Sequence, residues 1–136
     1  MVTDIKGIVN EVNANGGGTW KIASIQVNPH CRVMATLNPH RTGFYVASPQ
    51  LSVEVSELTP ESIAAFIESA LPELQNGRLL GIWCSNFTYY IELADHVPGR
   101  IEAIEKGYNR NQLAIWDIAN SQEIRLQPRE AIAKTA

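Results

Sequence analysis

LLGIWCSNFTYYIEL (Leu79–Leu93) is the stretch that decides the fold. Its first six residues form a continuous apolar run, which is typical of a strand buried on both faces. The next three residues, SNF, reverse the chain, and the following TYYIEL alternates so that Tyr89, Ile91 and Leu93 share one face. The starting prediction is therefore a strand buried on both faces that is followed, after a turn, by a second, alternating strand.

A helix is predicted on each side of this hairpin. The first begins at Thr59-Pro60-Glu61, which supplies an N-cap hydroxyl, a proline at the first helical position and a carboxylate near the positive end of the helix dipole. Apolar residues follow at helical spacing from Ile63 to Leu74. The second helix begins after Asp95, which is interpreted as its N-cap. The residues expected on its inward face are Ile101, Ile104 and Tyr108.

Residues 1–58 show strand signals and no helical period. The segment 13–18 is interpreted as a hairpin loop, and the segment 48–50 as a turn between two strands. In the second of these strands the residues expected to point inward are Leu51, Val53 and Val55. This part of the chain is therefore predicted to be an antiparallel meander.

The predicted fold class is α+β. An N-terminal antiparallel β-meander continues into a β-α-β-β-α-β-β unit, with two helices packed on one face of a mostly antiparallel sheet. A chain of 136 residues, of which 45% are hydrophobic and 18% charged, predicts a single domain over residues 1–136. Within it, 1–58 is mostly β, 59–126 is the split βαβ-like part, and 127–136 is expected to be a frayed tail.

The composition argues against several classes of protein. The formal net charge of -3 includes no block of like charge, so nucleic-acid binding is not indicated. The first residues lack the pattern of a signal peptide, and no apolar run approaches the roughly 18 residues that span a bilayer. A cytoplasmic protein that contacts no membrane is expected. Cys31 and Cys84 are too few for a disulfide framework and are predicted to be small buried hydrophobes.

Asn-Pro-His occurs twice, at residues 28–30 and 38–40. The alternating residues between the copies predict a strand, along which His30 and His40 stand roughly 30 Å apart, too far to share a metal ion. The repeat is interpreted as a turn at each end of that strand. No metal and no cofactor are predicted, and one histidine that binds a metal with distant partners stays open as the alternative.

No catalytic motif occurs, so no catalytic residue is assigned. Glu92, Asp95 and His96 are either a general base with its partner or a set of metal ligands, or else a helix cap beside a solvated histidine. Asn111 and Gln112 are either two amides that bind a ligand or a helix C-cap. The structural interpretation is preferred for both groups.

Asp117 interrupts an otherwise apolar run and is therefore either a structural anchor or a site residue. Trp83 and Trp116 belong to a dense group of aromatic residues on neighbouring strands, which core packing explains unless a pair is exposed to a partner. The candidate ligand- or partner-binding residues are Asn111, Gln112, Asp117, Glu92, His96, Trp83 and Trp116.

From Thr42 to Leu126, and most of all over NQLAIWDIAN, the chain resembles a module of unknown function associated with phage and mobile-element proteins. The elements that carry the resemblance are, in order, Trp83, Asp95, Gly107, Asn111-Gln112 and Ala114 to Asp117. Residues 1–41 lie outside it. The resemblance implies an accessory or interaction role and names no reaction.

The leading hypothesis is a small cytoplasmic accessory protein that binds another macromolecule, most of all a protein, through an exposed sheet face or aromatic patch. The alternative is a small-molecule-binding protein or enzyme with a pocket between the second helix and the sheet near Asp117. A third hypothesis is a structural subunit of a homo-oligomer that assembles through edge strands.

Overall fold

The computed structural model describes residues 2–26 and 30–126 and confirms the α+β class. The pairings of β1 with β3, β2 with β3, β2 with β5, β4 with β7 and β7 with β8 are all antiparallel. In chain order the elements are β1 (Val2–Thr3), α1 (Ile5–Asn15), β2 (Gly17–Gln26), β3 (Arg32–Leu37), β4 (Phe44–Val55), α2 (Pro60–Ser69), α3 (Leu71–Gln75), β5 (Leu79–Ser85), β6 (Thr88–Val97), α4 (Arg100–Asn109), β7 (Ala114–Asp117) and β8 (Gln122–Arg125).

The described residues divide into two compact units. The first unit contains those of 1–39 and 49–93, and the second contains 40–48 and 94–126. Strands in the first unit follow the order β1-β3-β2-β5-β6-β4, and those in the second follow β6-β4-β7-β8, because β4 and β6 contribute residues to both. A single domain over residues 1–136 stays a prediction, and the tail 127–136 lies outside the described residues.

The prediction of no helix in residues 1–58 is wrong, because α1 occupies much of the segment that was assigned to strand and loop. The Asp4 carboxylate accepts the N–H of Gly7 at 2.9 Å and so caps the first turn. Gly16, at a φ of 83°, ends the helix by donating its N–H to the Val12 carbonyl. The buried face, Ile5, Ile8 and Val12, has helical spacing that the neighbouring turn signals obscured.

The core of the first unit forms where α1 and α2 pack against the sheet strands. Trp20, Leu80, Ile82, Ile91 and Leu93 are fully buried there, and the two strands predicted within 79–93 are β5 and the first part of β6. Residues 59–75 form α2 and α3, which meet at Ala70, so the helical segment is interrupted next to Pro72, as the position of this proline predicts.

Strand β4 also differs from its prediction. It runs without a turn from Phe44 to Val55, and the expected inward residues Leu51 and Val53 are 43% and 41% exposed. Leu51 has a φ of 60°, so the period of two is interrupted at this residue and the faces no longer follow simple alternation.

In the second unit, α4 packs on β4 and β7 through a small core that contains Phe44, Val46 and Ala103. Ile101 is 75% exposed, so its predicted inward position is wrong. Gly107 faces the inside instead, where an added Cβ would lie 2.5 Å from a Leu126 methyl. The close neighbours of this position are therefore side chains of Leu126 and Ile115.

Both cysteine predictions need correction. Cys84 is exposed near the end of β5, and Cys31, which precedes β3, is only half-buried.

The close packing of Gly7 against Thr3, where the chain passes from β1 into α1, can be tested by substitution. A Cβ at this position would lie 1.5 Å from Oγ1 and 2.8 Å from Cβ of Thr3. Gly7→Ala is therefore expected to lower the free energy of unfolding, although Gly to Ala inside a helix usually raises it by roughly 0.5–1 kcal/mol. Urea denaturation of the wild type, Gly7→Ala and Gly7→Ala/Thr3→Ala measures the effect. A stabilised Gly7→Ala protein would contradict the packing, whereas partial rescue by Thr3→Ala supports it.

Candidate functional site

One edge of β3 is only partly covered. Strand β2 pairs with β3 from Arg32 to Leu37, whereas β1 on the opposite edge pairs only with Ala35 and Thr36. Among the described residues no strand pairs with Arg32–Met34 on the β1 side. Backbone N–H and C=O groups that face outward along this edge therefore have no strand partner in the described part of the chain.

The open edge lies in a cleft of about 850 Å³ in the first unit. The start of α1 and one side of α2 form its other walls. The lining residues are Asp4, Ile5, Lys6, His30, Cys31, Arg32, Val33, Met34, Pro60, Glu61, Ala64, Ala65 and Glu68. A cleft of this size is sufficient for several residues of an extended chain.

The wall that α2 contributes to the cleft depends on where this helix begins and on which of its residues recur on the side that faces the cleft. The N–H of Ser62 donates to Thr59 Oγ1, and the N–H of Thr59 donates to Ser62 Oγ, both at 3.0 Å. This capping box fixes the first turn. Residues 61, 64, 65 and 68 then recur at helical spacing on a side different from the buried residues 63, 66 and 67. The cleft therefore faces two small alanines between two carboxylates.

The electrostatics of the cleft centre on those carboxylates. Burial raises the pKa of the Cys31 thiol above its ordinary value, and the negative charge of Glu68 raises it further. Such a thiol stays protonated at neutral pH, so Cys31 does not serve as an activated nucleophile. The chemistry that the cleft offers is binding through a strand edge, small apolar contacts and charge.

The sequence did not select this cleft. Asp4, Ile5 and Lys6 belong to the helix that sequence reasoning missed, and only the fold brings them beside β3. The one available signal was the α2 stripe from Glu61 to Glu68, whose outward face combines acids with alanines. None of the seven predicted site residues lines the cleft.

Asp117 is a structural anchor in the second unit. It is 5% exposed. Its Oδ2 accepts Asn120 Nδ2 at 2.8 Å, and its Oδ1 accepts the Asn120 N–H at 3.4 Å. Both carboxylate oxygens thus hold the turn between β7 and β8, which explains how a charged group is tolerated at the end of a buried strand.

The C-cap of α4 is Arg110 rather than Asn111, and Asn111 and Gln112 follow it in the C-terminal motif of the helix. The N–H of Asn111 donates to the Tyr108 carbonyl and the N–H of Gln112 donates to the Gly107 carbonyl, at 3.0 and 2.9 Å. Asn111 adopts a φ of 56°, the left-handed conformation that this type of C-terminal motif requires. Their backbones therefore satisfy the end of the helix.

Asp95 and His96 do not cap α4, because β6 continues to Val97 and the N-cap is Gly99. Asp95 pairs with Arg110 at 2.9 Å, and Arg110 also donates to the carbonyls of Val46 and Ala47 at 3.4 Å. The sequence interpretation of Asp95 as an N-cap is wrong because the strand extends four residues beyond Leu93.

His96 lies in a histidine cluster that sequence reasoning missed. Its ring stacks on His40 with 3.7 Å between centroids, and its Nε2 lies 2.8 Å from the Thr42 carbonyl. Tyr45 approaches edge-on, with its hydroxyl 3.2 Å from His40 Nδ1. The second Asn-Pro-His copy thus places His40 against another imidazole. Within residues 2–26 and 30–126, no three His, Cys, Asp or Glu residues converge in a way that could hold a metal ion.

Trp116 and Trp83 are both half-buried rather than exposed. Trp116 pairs in register with Tyr45 in the second unit, and Trp83 lies on β5 in the first unit. The aromatic residue that is largely exposed is Phe87, at 92%, in the turn between β5 and β6. The two tryptophans therefore do not form the exposed aromatic patch that was considered.

The Glu92 carboxyl, in the first unit, has a pKa well above its ordinary value. Burial raises the pKa of Glu92 to about 7, and a hydrogen bond from the Trp83 side chain partly opposes that increase. The two residues lie on the neighbouring strands β6 and β5. Glu92 belongs to the first unit and His96 to the second.

No protein-family model, curated protein sequence or solved structure matches this chain. No helix in the described ranges is both long enough and apolar enough to cross a membrane.

The raised pKa of Glu92 predicts a pH-dependent stability. Between the ordinary value of 4.5 and about 7, the folded protein binds more protons than the unfolded chain. The free energy of unfolding should therefore fall as pH rises through this window, since the contribution of the neutral carboxyl is complete below it and lost above it. Glu92→Gln should remove most of this slope and stabilise the protein at pH 8 by at least about 1 kcal/mol.

Urea denaturation at pH 5 and pH 8 measures this effect. The matched control is Glu57→Gln, which changes an exposed carboxyl and should leave the slope unchanged. An unchanged slope in Glu92→Gln would contradict the assignment.

Proposed function

We propose that this protein is a small accessory protein that binds a protein partner by adding an extended segment of that partner to the open edge of β3. The observation that carries the proposal is the unpaired edge Arg32–Met34 inside a cleft walled by α1 and α2. A sheet edge beside a helix is a recurring site for peptide binding by strand addition.

The edge and the cleft supply different parts of the binding energy. Backbone groups along the edge offer directional hydrogen bonds to any extended chain. Met34, which is 47% exposed, offers apolar contact beside them. The three residues from Arg32 to Met34 span roughly 10 Å, so the open edge accepts a short segment. The partner segment is therefore short and extended.

The accessory role that we propose also has support from the sequence. The resemblance of residues 42–126 to a module of phage and mobile-element proteins supports an accessory role, and we propose that this role is exercised in the cytoplasm. Assembly of like subunits through edge strands is a second use of the same chemistry. The small-molecule alternative near Asp117 has less support, because the Asp117 carboxylate is occupied by Asn120.

A displayed library of random ten-residue peptides tests the proposal. Peptides selected on the purified protein should lose binding to Ala65→Arg, which places a long side chain in the cleft from an exposed helical position. The matched control is Ser69→Arg, an exposed α2 position outside the cleft, which should bind as the wild type does. Alternate N-methylation of a selected peptide should abolish binding, because strand addition uses the peptide backbone.

Amide hydrogen exchange then locates the contact. Bound peptide should slow exchange within residues 32–34, because new backbone hydrogen bonds protect these amides. Peptides that bind Ala65→Arg as well as the wild type, or that leave the β3 amides unprotected, would overturn the proposal.

A further inference from the structure

We infer that the segment bound at the open edge of β3 is basic, with two Lys or Arg residues four positions apart and a small apolar residue midway between them. This inference rests on the proposed strand addition and names the chemistry of the partner. It follows from which side chains of an added strand face α2, and from the charges that they meet there.

The face of the added strand is set by β3 itself. Val33 is 4% exposed and packs in the core with α1 and α2, whereas Arg32 and Met34 alternate to the opposite face. Residues directly opposite one another on neighbouring strands point to the same face of a sheet. Partner side chains at the level of Val33, and every second residue from there, therefore point toward the two helices.

The charge on this helical side is negative. Three carboxylates, Asp4, Glu61 and Glu68, line it, against the single ammonium of Lys6. Arg32 also lines the cleft, but its side chain leaves β3 on the face opposite to Val33, so Lys6 is the cation that shares the helical side with the α2 carboxylates. Glu68 and Cys31 both line the cleft, and the negative charge of Glu68 raises the pKa of the Cys31 thiol. Basic side chains are therefore complementary to the α2 wall.

The distance between Glu61 and Glu68 on α2 determines the distance expected between the two basic residues of the bound segment. Glu61 and Glu68 are seven residues apart on α2, or roughly 10.5 Å along the helix axis. Residues i and i+4 of a strand lie roughly 13 Å apart on one face, with i+2 between them. The flexible stems of Lys and Arg cover the difference. Ala64 and Ala65 leave room opposite i+2 for a small apolar side chain.

Three synthetic peptides of equal length test this pattern: TKTVTKT, TETVTET and TKTVKTT. The first places both lysines on one face, the second reverses the charge, and the third keeps the composition but puts the lysines on opposite faces. TKTVTKT should bind about tenfold more tightly than either of the others, and the preference should weaken as salt rises because surface charge pairs are screened. Fluorescence anisotropy of labelled peptides measures the affinities.

Charge reversal in the protein gives the complementary test. Glu61→Lys/Glu68→Lys should bind TETVTET in preference to TKTVTKT, which is a gain that a misfolded protein cannot produce. The matched control, Glu54→Lys/Glu57→Lys, makes the same change in net charge at exposed positions outside the cleft and should keep the wild-type preference.

The outcomes separate this inference from the proposal on which it rests. Equal affinity for TKTVTKT and TETVTET, with protection of the β3 amides by both, would overturn the basic pattern and leave strand addition intact. Affinity for TKTVTKT without protection of residues 32–34 would overturn strand addition. Concentration-dependent dimerisation that protects the same amides in the absence of peptide would assign the edge to a second copy of the chain and overturn the inference.

Discussion

The first unit depends on the central placement of β2 between two other strands. Trp20 marks this position, because its backbone pairs in register with Leu37 of β3 on one side and with Leu80 of β5 on the other, while its side chain is fully buried. Burial of a large aromatic side chain at such a junction stabilises both pairings together. It also fixes which edge of β3 is covered by β2, and therefore which edge remains to be covered by something else.

The open edge results from how early the chain leaves β1. Asp4 caps α1 directly after Thr3, so β1 covers only Ala35 and Thr36. The close approach at Gly7 lets the new helix begin beside the strand that it has just left. The same local event thus exposes Arg32–Met34 and supplies one wall of the cleft. A longer β1 would have removed both.

Most of the polar residues that the sequence suggests as site candidates instead stabilise the local backbone. Asp117 closes a turn, Asn111 ends a helix, and Asp95 holds Arg110 against strand carbonyls. Each sits where a strand or helix ends, which is where unpaired backbone groups and charged side chains both occur. Glu92 differs, because burial raises the pKa of its carboxyl to about 7. Sequence position alone does not distinguish these cases, since both kinds of acid interrupt an apolar run.

The sequence by itself determined the α+β class, the strands around Leu79–Leu93, the α2 start at Thr59 and the C-terminal strand pair. These features depend on helix capping and on hydrophobic periods of 2 and 3.6 residues, which involve only residues that are close together in the chain. The helical spacing of Ile5, Ile8 and Val12 was also present in the sequence, although the turn residues around them concealed this pattern. Only the tertiary structure decided that β1 stops short, that His40 stacks on His96, and that the starts of α1 and α2 meet the edge of β3. These features join residues that are far apart in the chain, and strand order and edge coverage are set by packing rather than by any local pattern.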